Sequence, residues 1–245
     1  NGGFGVLEIL YQDDYLVAIN KPAGLLVHRS NIDRHETRFA VQLLRDQIGR
    51  HVFPVHRLDK PTSGILLFAL NADVARQMMA VFVNGHVRKR YQAIVRGFVE
   101  LKGSIDYPLQ ETLDRMSDRN AVEDKPAQAA LTHFKCLARA EMPFVTKRHS
   151  TCRYSLVELV PETGRKHQLR RHMKHIFHPI VGDTTHGDGK QNAFFRTYLG
   201  SHQLLLTASD LHFPHPVSDA LVSIHSPPDA EFVRVIEQLN WQTND

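Results

Sequence analysis

The chain has 245 residues, 42% of them hydrophobic and 23% charged, with a net charge of +4 at pH 7. A chain of this size buries most of its apolar surface unaided. Its two cysteines, Cys136 and Cys152, are too few and too scattered for a disulfide framework or a zinc site. No apolar run reaches membrane length, and no charged-then-apolar secretory leader is expected.

Residues 1–5 read as an expression remnant or a frayed end. Val6 to Tyr11 and Leu16 to Asn20 read as two short strands around an Asp13-Asp14 turn. Arg38 to Ile48 has helical periodicity and stops at Gly49. Gly64 to Leu70 is a continuous apolar run, the pattern of a buried strand. Asn71 can cap a helix over Ala72 to Asn84, which Gly85 ends. Lys89 to Val99, Leu131 to Leu137 and Tyr154 to Val160 alternate as strands. Arg165 to Phe177 reads as a helix, with Leu169, Met173 and Ile176 facing inward and His167, Arg170, Arg171 and Lys174 on the polar side. Leu204 to Thr207 and Leu211 to Phe213 read as late strands, and Asp229 to Leu239 as a closing amphipathic helix. Strands interrupted irregularly by helices indicate an α+β fold with a largely antiparallel sheet. The polar stretch Gln110 to Pro126 reads as a plain surface loop, with a mobile RNA-facing loop as the alternative.

Two segments concentrate polar chemistry. His56-Arg57-Leu58-Asp59-Lys60-Pro61-Thr62-Ser63-Gly64 sits just before the buried strand, where a rigid scaffold can present it. Taken alone it is first of all a well-made turn. In Thr163-Gly164-Arg165-Lys166-His167-Gln168-Leu169-Arg170, Thr163 can cap a helix whose cations and free N–H groups favour an anion. Taken alone it is a solvated basic face. His172, His175 and His178 share a three-residue spacing, but no carboxylate lies at helical spacing beside them, so a metal site is not expected. No phosphate-binding glycine loop and no serine-hydrolase elbow is present.

The ordered set of motifs says more than any one of them. His56-Arg57-Leu58-Asp59 with Thr62-Ser63-Gly64 resembles the signature of the RluA family of pseudouridine synthases. Asn20-Lys21-Pro22-Ala23-Gly24 with His28, Lys89-Arg90-Tyr91-Gln92-Ala93, Thr163 to Arg170, and His178-Pro179-Ile180-Val181-Gly182-Asp183 resemble its other motifs, in the family's order. Among family members, His28-Arg29-Ser30, Asp46 to Gly49 and Gly182 to Asp188 look like the bacterial ones that act on tRNA at uridine 65.

The resemblance implies a pseudouridine synthase fold: a mixed sheet flanked by helices, with an RNA cleft across it, in a single catalytic domain over residues 6–245. No N-terminal RNA-binding domain of the S4 type is expected. The implied enzyme is a cytoplasmic monomer that needs no cofactor and no membrane, with tRNA as its partner. The target uridine must be flipped out of the stack. Asp59 would be the catalytic carboxylate, attacking the nucleotide or removing a sugar proton. Arg170 would be the cation that keeps it ionised. Tyr91 would stack on the uracil and help move the C5 proton, and Leu169 would pack against the base. Arg57 would fill the gap left in the RNA, with His56, Lys89 and Arg165 as further substrate contacts. Arg29, Arg34, Lys147, Arg148 and Arg171 are candidate contacts to the rest of the RNA. Thr207 and His186 depart from the common family residues and bear on RNA fit. Ribosomal RNA as substrate, or a silent RNA-binding module, are the alternatives.

Overall fold

A computed structural model describes residues 4–29, 39–111 and 125–241. These form ten strands and five helices, in two compact units. The first unit comprises residues 1–89, 110–127 and 208–227; the second comprises 90–109, 128–207 and 228–245.

In the first unit, β1 (Glu8–Gln12) and β2 (Leu16–Lys21) form an antiparallel hairpin. Its turn is fixed by Asp13, whose Oδ1 accepts the N–H groups of Tyr15 and Leu16. β2 pairs antiparallel with β4 (Ser63–Ala69), and the short β3 (Phe53–Pro54) also pairs with β4. Every residue of β4 is buried, as its unbroken apolar run requires. α1 (Ala40–Ile48) and α2 (Ala72–Val83) follow their expected positions, and Asn71 caps α2 by accepting the Val74 N–H. Leu16, Ile65, Leu67, Val74 and Met78 share a core with Leu211, Phe213, Val222 and Ile224.

The second unit is built on β5 (Arg88–Arg96), β8 (Cys152–Pro161), β7 (Leu131–Met142) and β6 (Lys102–Asp106), each antiparallel to its neighbour. α3 (Gln168–His175) contributes Leu169 and Met173 to the core beneath β5 and β8. α4 (Gly189–Leu199) and α5 (Ala230–Gln238) pack Phe195, Leu199, Phe232 and Val235 into a second core around Tyr154. The chain is therefore α+β with antiparallel pairing, as its patterning indicates.

Several boundaries differ from the sequence reading. The two late strands are one, β9 (Leu206–Pro214), paired antiparallel with β10 (Leu221–His225). Ser209 and Asp210 bridge the two apolar stretches without breaking the strand. β3, β6, β10 and α4 had no counterpart in the reading. α3 begins at Gln168, not Arg165, because residues 163–167 form a bonded loop. The expected contact Arg34 and most of the Gln110 to Pro126 stretch lie outside the described residues.

Candidate active site

Asp59 stands in a turn between β3 and β4, half-buried, between buried Leu58 and buried Thr62. The turn closes through Thr62 N–H donating to the Asp59 carbonyl. Behind it, Lys21 is fully buried at the end of β2. Its Nζ donates to the carbonyls of Pro22, Leu25 and Lys60 at 2.8–3.0 Å. Burial lowers the Lys21 ammonium to about 7, and the Asp59 charge opposes that shift. A cation thus holds the backbone beside Asp59 and attracts its carboxylate. The sequence reading gave the role of nearby cation to Arg170 and none to Lys21. The available signal was a lysine ending an otherwise buried strand.

The flanking positions have separate tasks. His56 Nε2 accepts the Leu67 N–H, and the ring stacks on Phe82. Burial, with the charge of Lys89 adding to it, lowers His56 to about 3, so it stays neutral. Burial also lowers Lys89. Arg57 is exposed, and its charge adds to the burial that lowers His28. Gly64 has φ 110°, and a Cβ there would overlap the Ala208 carbonyl. Only glycine lets β4 start where it does, immediately after the Asp59 turn.

In the second unit, Tyr91 lies on β5 opposite Leu159, and Tyr91 and Leu169 pack on one apolar cluster. Arg170 is not on a polar face: it is buried, with Nε and Nη2 bonded to the two carboxylate oxygens of Asp183 at 2.9 and 2.8 Å. Asp183 Oδ1 also accepts the N–H groups of Thr185 and His186. Burial raises the Asp183 carboxyl, but the Arg170 bond and the His186 N–H outweigh it and keep it ionised. Burial lowers His186 to about 4, and its Nε2 meets His167 Nδ1 at 2.9 Å.

Thr163 does not cap α3. Its hydroxyl accepts the Leu131 N–H and donates to Gln168 Oε1. Gln168 Nε2 in turn donates to the Leu131 carbonyl and Thr132 Oγ1, so this amide organises the loop. Arg165 is tied through Nε to the Ala129 carbonyl. His172 meets Thr132 Oγ1 and the Tyr107 carbonyl, His175 stacks on Tyr107, and His178 meets the Arg96 carbonyl. The three histidines thus serve structural contacts, two of them with Tyr107, and no metal-ligand cluster exists among the described residues.

The model of the RNA pseudouridylate synthase family matches residues 15–175. This chain belongs to that family. Curated relatives include the tRNA pseudouridine synthase C of Vibrio cholerae, 53% identical over 97% of both chains. That of Pasteurella multocida is 54% identical over 97% of this chain and 98% of its own. Among solved structures, human RNA pseudouridylate synthase domain containing 4 superposes with a TM-score of 0.75 at 27% identity, over 97% of this chain and 95% of that one. The family match spans the Asp59 turn, the Tyr91 strand and Leu169 and Arg170. It stops short of Asp183, the carboxylate that engages Arg170. Among the described residues, no helix is long and apolar enough to cross a membrane.

Proposed function

We propose that this pseudouridine synthase isomerises a uridine of tRNA, uridine 65 by its sequence resemblance, without a cofactor. The observation that carries this is the near-full-length identity to two curated tRNA pseudouridine synthase C chains. The reaction breaks the N1–C1′ bond, turns the base and joins C5 to C1′. C5 loses a proton and N1 gains one, so atoms balance with no redox partner. Asp59 is the reacting carboxylate, and Lys21 braces the backbone beside it by donating to the Lys60 carbonyl. Tyr91 stacks on the uracil and assists the C5 proton, Leu169 packs on the base, and Arg170 supplies positive charge. Exposed Arg57 enters the stack that the uridine leaves, where a guanidinium plane can replace a base. His56, Lys89 and Arg165 are further substrate contacts. On this reading the enzyme is a cytoplasmic monomer, and its two free thiols suit a reducing compartment.

Tritium release from tRNA labelled at uridine C5 tests it. The parent should release tritium and Asp59→Asn should release none above background. Full release by Asp59→Asn would refute the assignment of Asp59. Release from ribosomal RNA alone would replace the substrate.

A further inference from the structure

Helix α3 ends on a residue type that the other helices avoid. α1, α2 and α4 pass into Gly49, Gly85 and Gly200 at φ of 68°, 72° and 62°, and α5 passes into Asn240 at 60°. Glycine and asparagine enter left-handed backbone at least cost. α3 passes instead into Phe177, at φ 65°. The Phe177 N–H donates to the Lys174 carbonyl and the His178 N–H to that of Met173, the paired bonds of a helix stop that glycine usually occupies. A bulky residue there is strained and persists only when its surroundings hold it. Packing does not reward the ring, which is 79% exposed.

The backbone at this point is firmly held. Arg96 Nη2 donates to the Phe177 carbonyl while Nη1 pairs with Asp188, and His178 Nδ1 meets the Arg96 carbonyl. Lys174 is exposed three residues before the ring. Two residues beyond Arg96, Phe98 lies beneath the guanidinium groups of Arg139 and Arg153, at 5.4 and 5.0 Å. Asp188 and Glu141 are matched to Arg96 and Arg153, and exposed Glu100 is set against the two further cations Arg139 and Lys174, so cations exceed acids by one among these residues. Exposed aromatics among cations form the surface that nucleic acids use, with bases stacking on rings and phosphates meeting the charges.

We propose that Phe177 is a base-stacking residue of the RNA-binding surface. It takes an unpaired or helix-terminal base of the tRNA, while Lys174 and the neighbouring guanidinium groups meet its phosphates. The inference rests on the tRNA reading above and extends it to a second contact. That base is not the reacting uridine. Phe177 follows Arg170 by about 10 Å of helix, and β5 advances about 17 Å from Tyr91 to Arg96. The footprint therefore extends well beyond the flipped nucleotide, which selects a folded RNA over a short strand.

The test compares the full chain with Phe177→Gly and Phe177→Trp, by thermal melting, by affinity for an unmodified tRNA transcript at fixed salt, and by tritium release. Phe177→Gly relieves the backbone and should raise Tm by about 2–4 °C. It should weaken tRNA binding about tenfold, and the loss in kcat/KM should appear in KM. Phe177→Trp should bind like the parent. Unchanged affinity of Phe177→Gly would overturn the proposal and point the ring toward a protein partner, and a lowered Tm would overturn it in favour of a structural role. A parent that binds tRNA but releases no tritium would refute the proposed function alone, since the affinity comparison still decides the role of Phe177.

Discussion

Arg170 and Asp183 illustrate how burial changes the value of an ion pair. Their side chains are 4% and 1% exposed, and the contact is a two-pronged fork. The attraction of such a pair is largely offset by desolvation, but removing one partner strands a charge. Asp183→Ala should cost about 3–5 kcal/mol. Arg170→Lys should also destabilise, because an ammonium cannot reproduce the fork. The partly exposed pair of Glu231 and Arg234 gives the contrast, and Glu231→Gln should cost less than about 1 kcal/mol. Denaturant unfolding of the three variants measures all of this. An Asp183→Ala protein as stable as Glu231→Gln would contradict the account. This pair also marks a limit of sequence reading. Helical spacing places Arg170 beside Arg171 and Lys174 on a polar face, and only tertiary structure brings a carboxylate from thirteen residues on to draw it inward.

At the scale of elements, the start of β4 is the most constrained point near Asp59. Gly64 combines left-handed backbone with direct contact against the Ala208 backbone, so an added methyl has no soft neighbour to displace. Gly64→Ala should destabilise by about 3 kcal/mol or more and lower turnover, because the Asp59 turn leads directly into this residue. Gly189 opens α4 with open space around its missing Cβ, and Gly189→Ala should be neutral or slightly stabilising. Equal effects of the two substitutions, read by thermal melting and tritium release, would refute this reading of Gly64. Elements with strong patterns were legible in the sequence: β4 from its apolar run, α2 from Asn71, and the Asp59 turn from its motif. Weak patterns were not. β6 buries only Ile105, and α4 opens with Gly189-Lys190-Gln191-Asn192, a poor helical start that relies on the Asp188 cap. The loop before α3 was misread because Thr163 has a capping residue's chemistry, while the Gln168 amide holds it elsewhere.

For the whole molecule, the shifted groups set a direction for stability against pH. Burial lowers His28, His56, His172 and His186, with His56 at about 3 and His186 at about 4, so the fold disfavours their charged forms. The unfolded chain protonates them near 6.5. Between 6.5 and the lowered values the unfolded state binds more protons, so the histidines' contribution to stability is full above about 6.5 and falls as pH drops. Asp13, Asp183 and Asp188 are also lowered, despite burial, by their hydrogen bonds; their contribution is present above about 4 and is lost below it. On the alkaline side, Lys21 is lowered to about 7 and Lys89 is lowered too. From about pH 7 to 10 the unfolded chain retains protons that the fold has released, and rising pH continues to favour the fold. Tyr11 reverses the trend above about 10, because burial and the Asp13 carboxylate push it up to about 12 in the fold. The melting temperature should therefore fall steadily from pH 6.5 to 4 and reach its maximum between about pH 8 and 10. His56→Gln, which retains an acceptor for the Leu67 N–H, should flatten the acid limb while leaving the alkaline one in place. A maximum below pH 6 would show that the buried histidines carry their protons in the fold, and the neutral, acceptor-only role of His56 Nε2 beside the Asp59 turn would then be wrong.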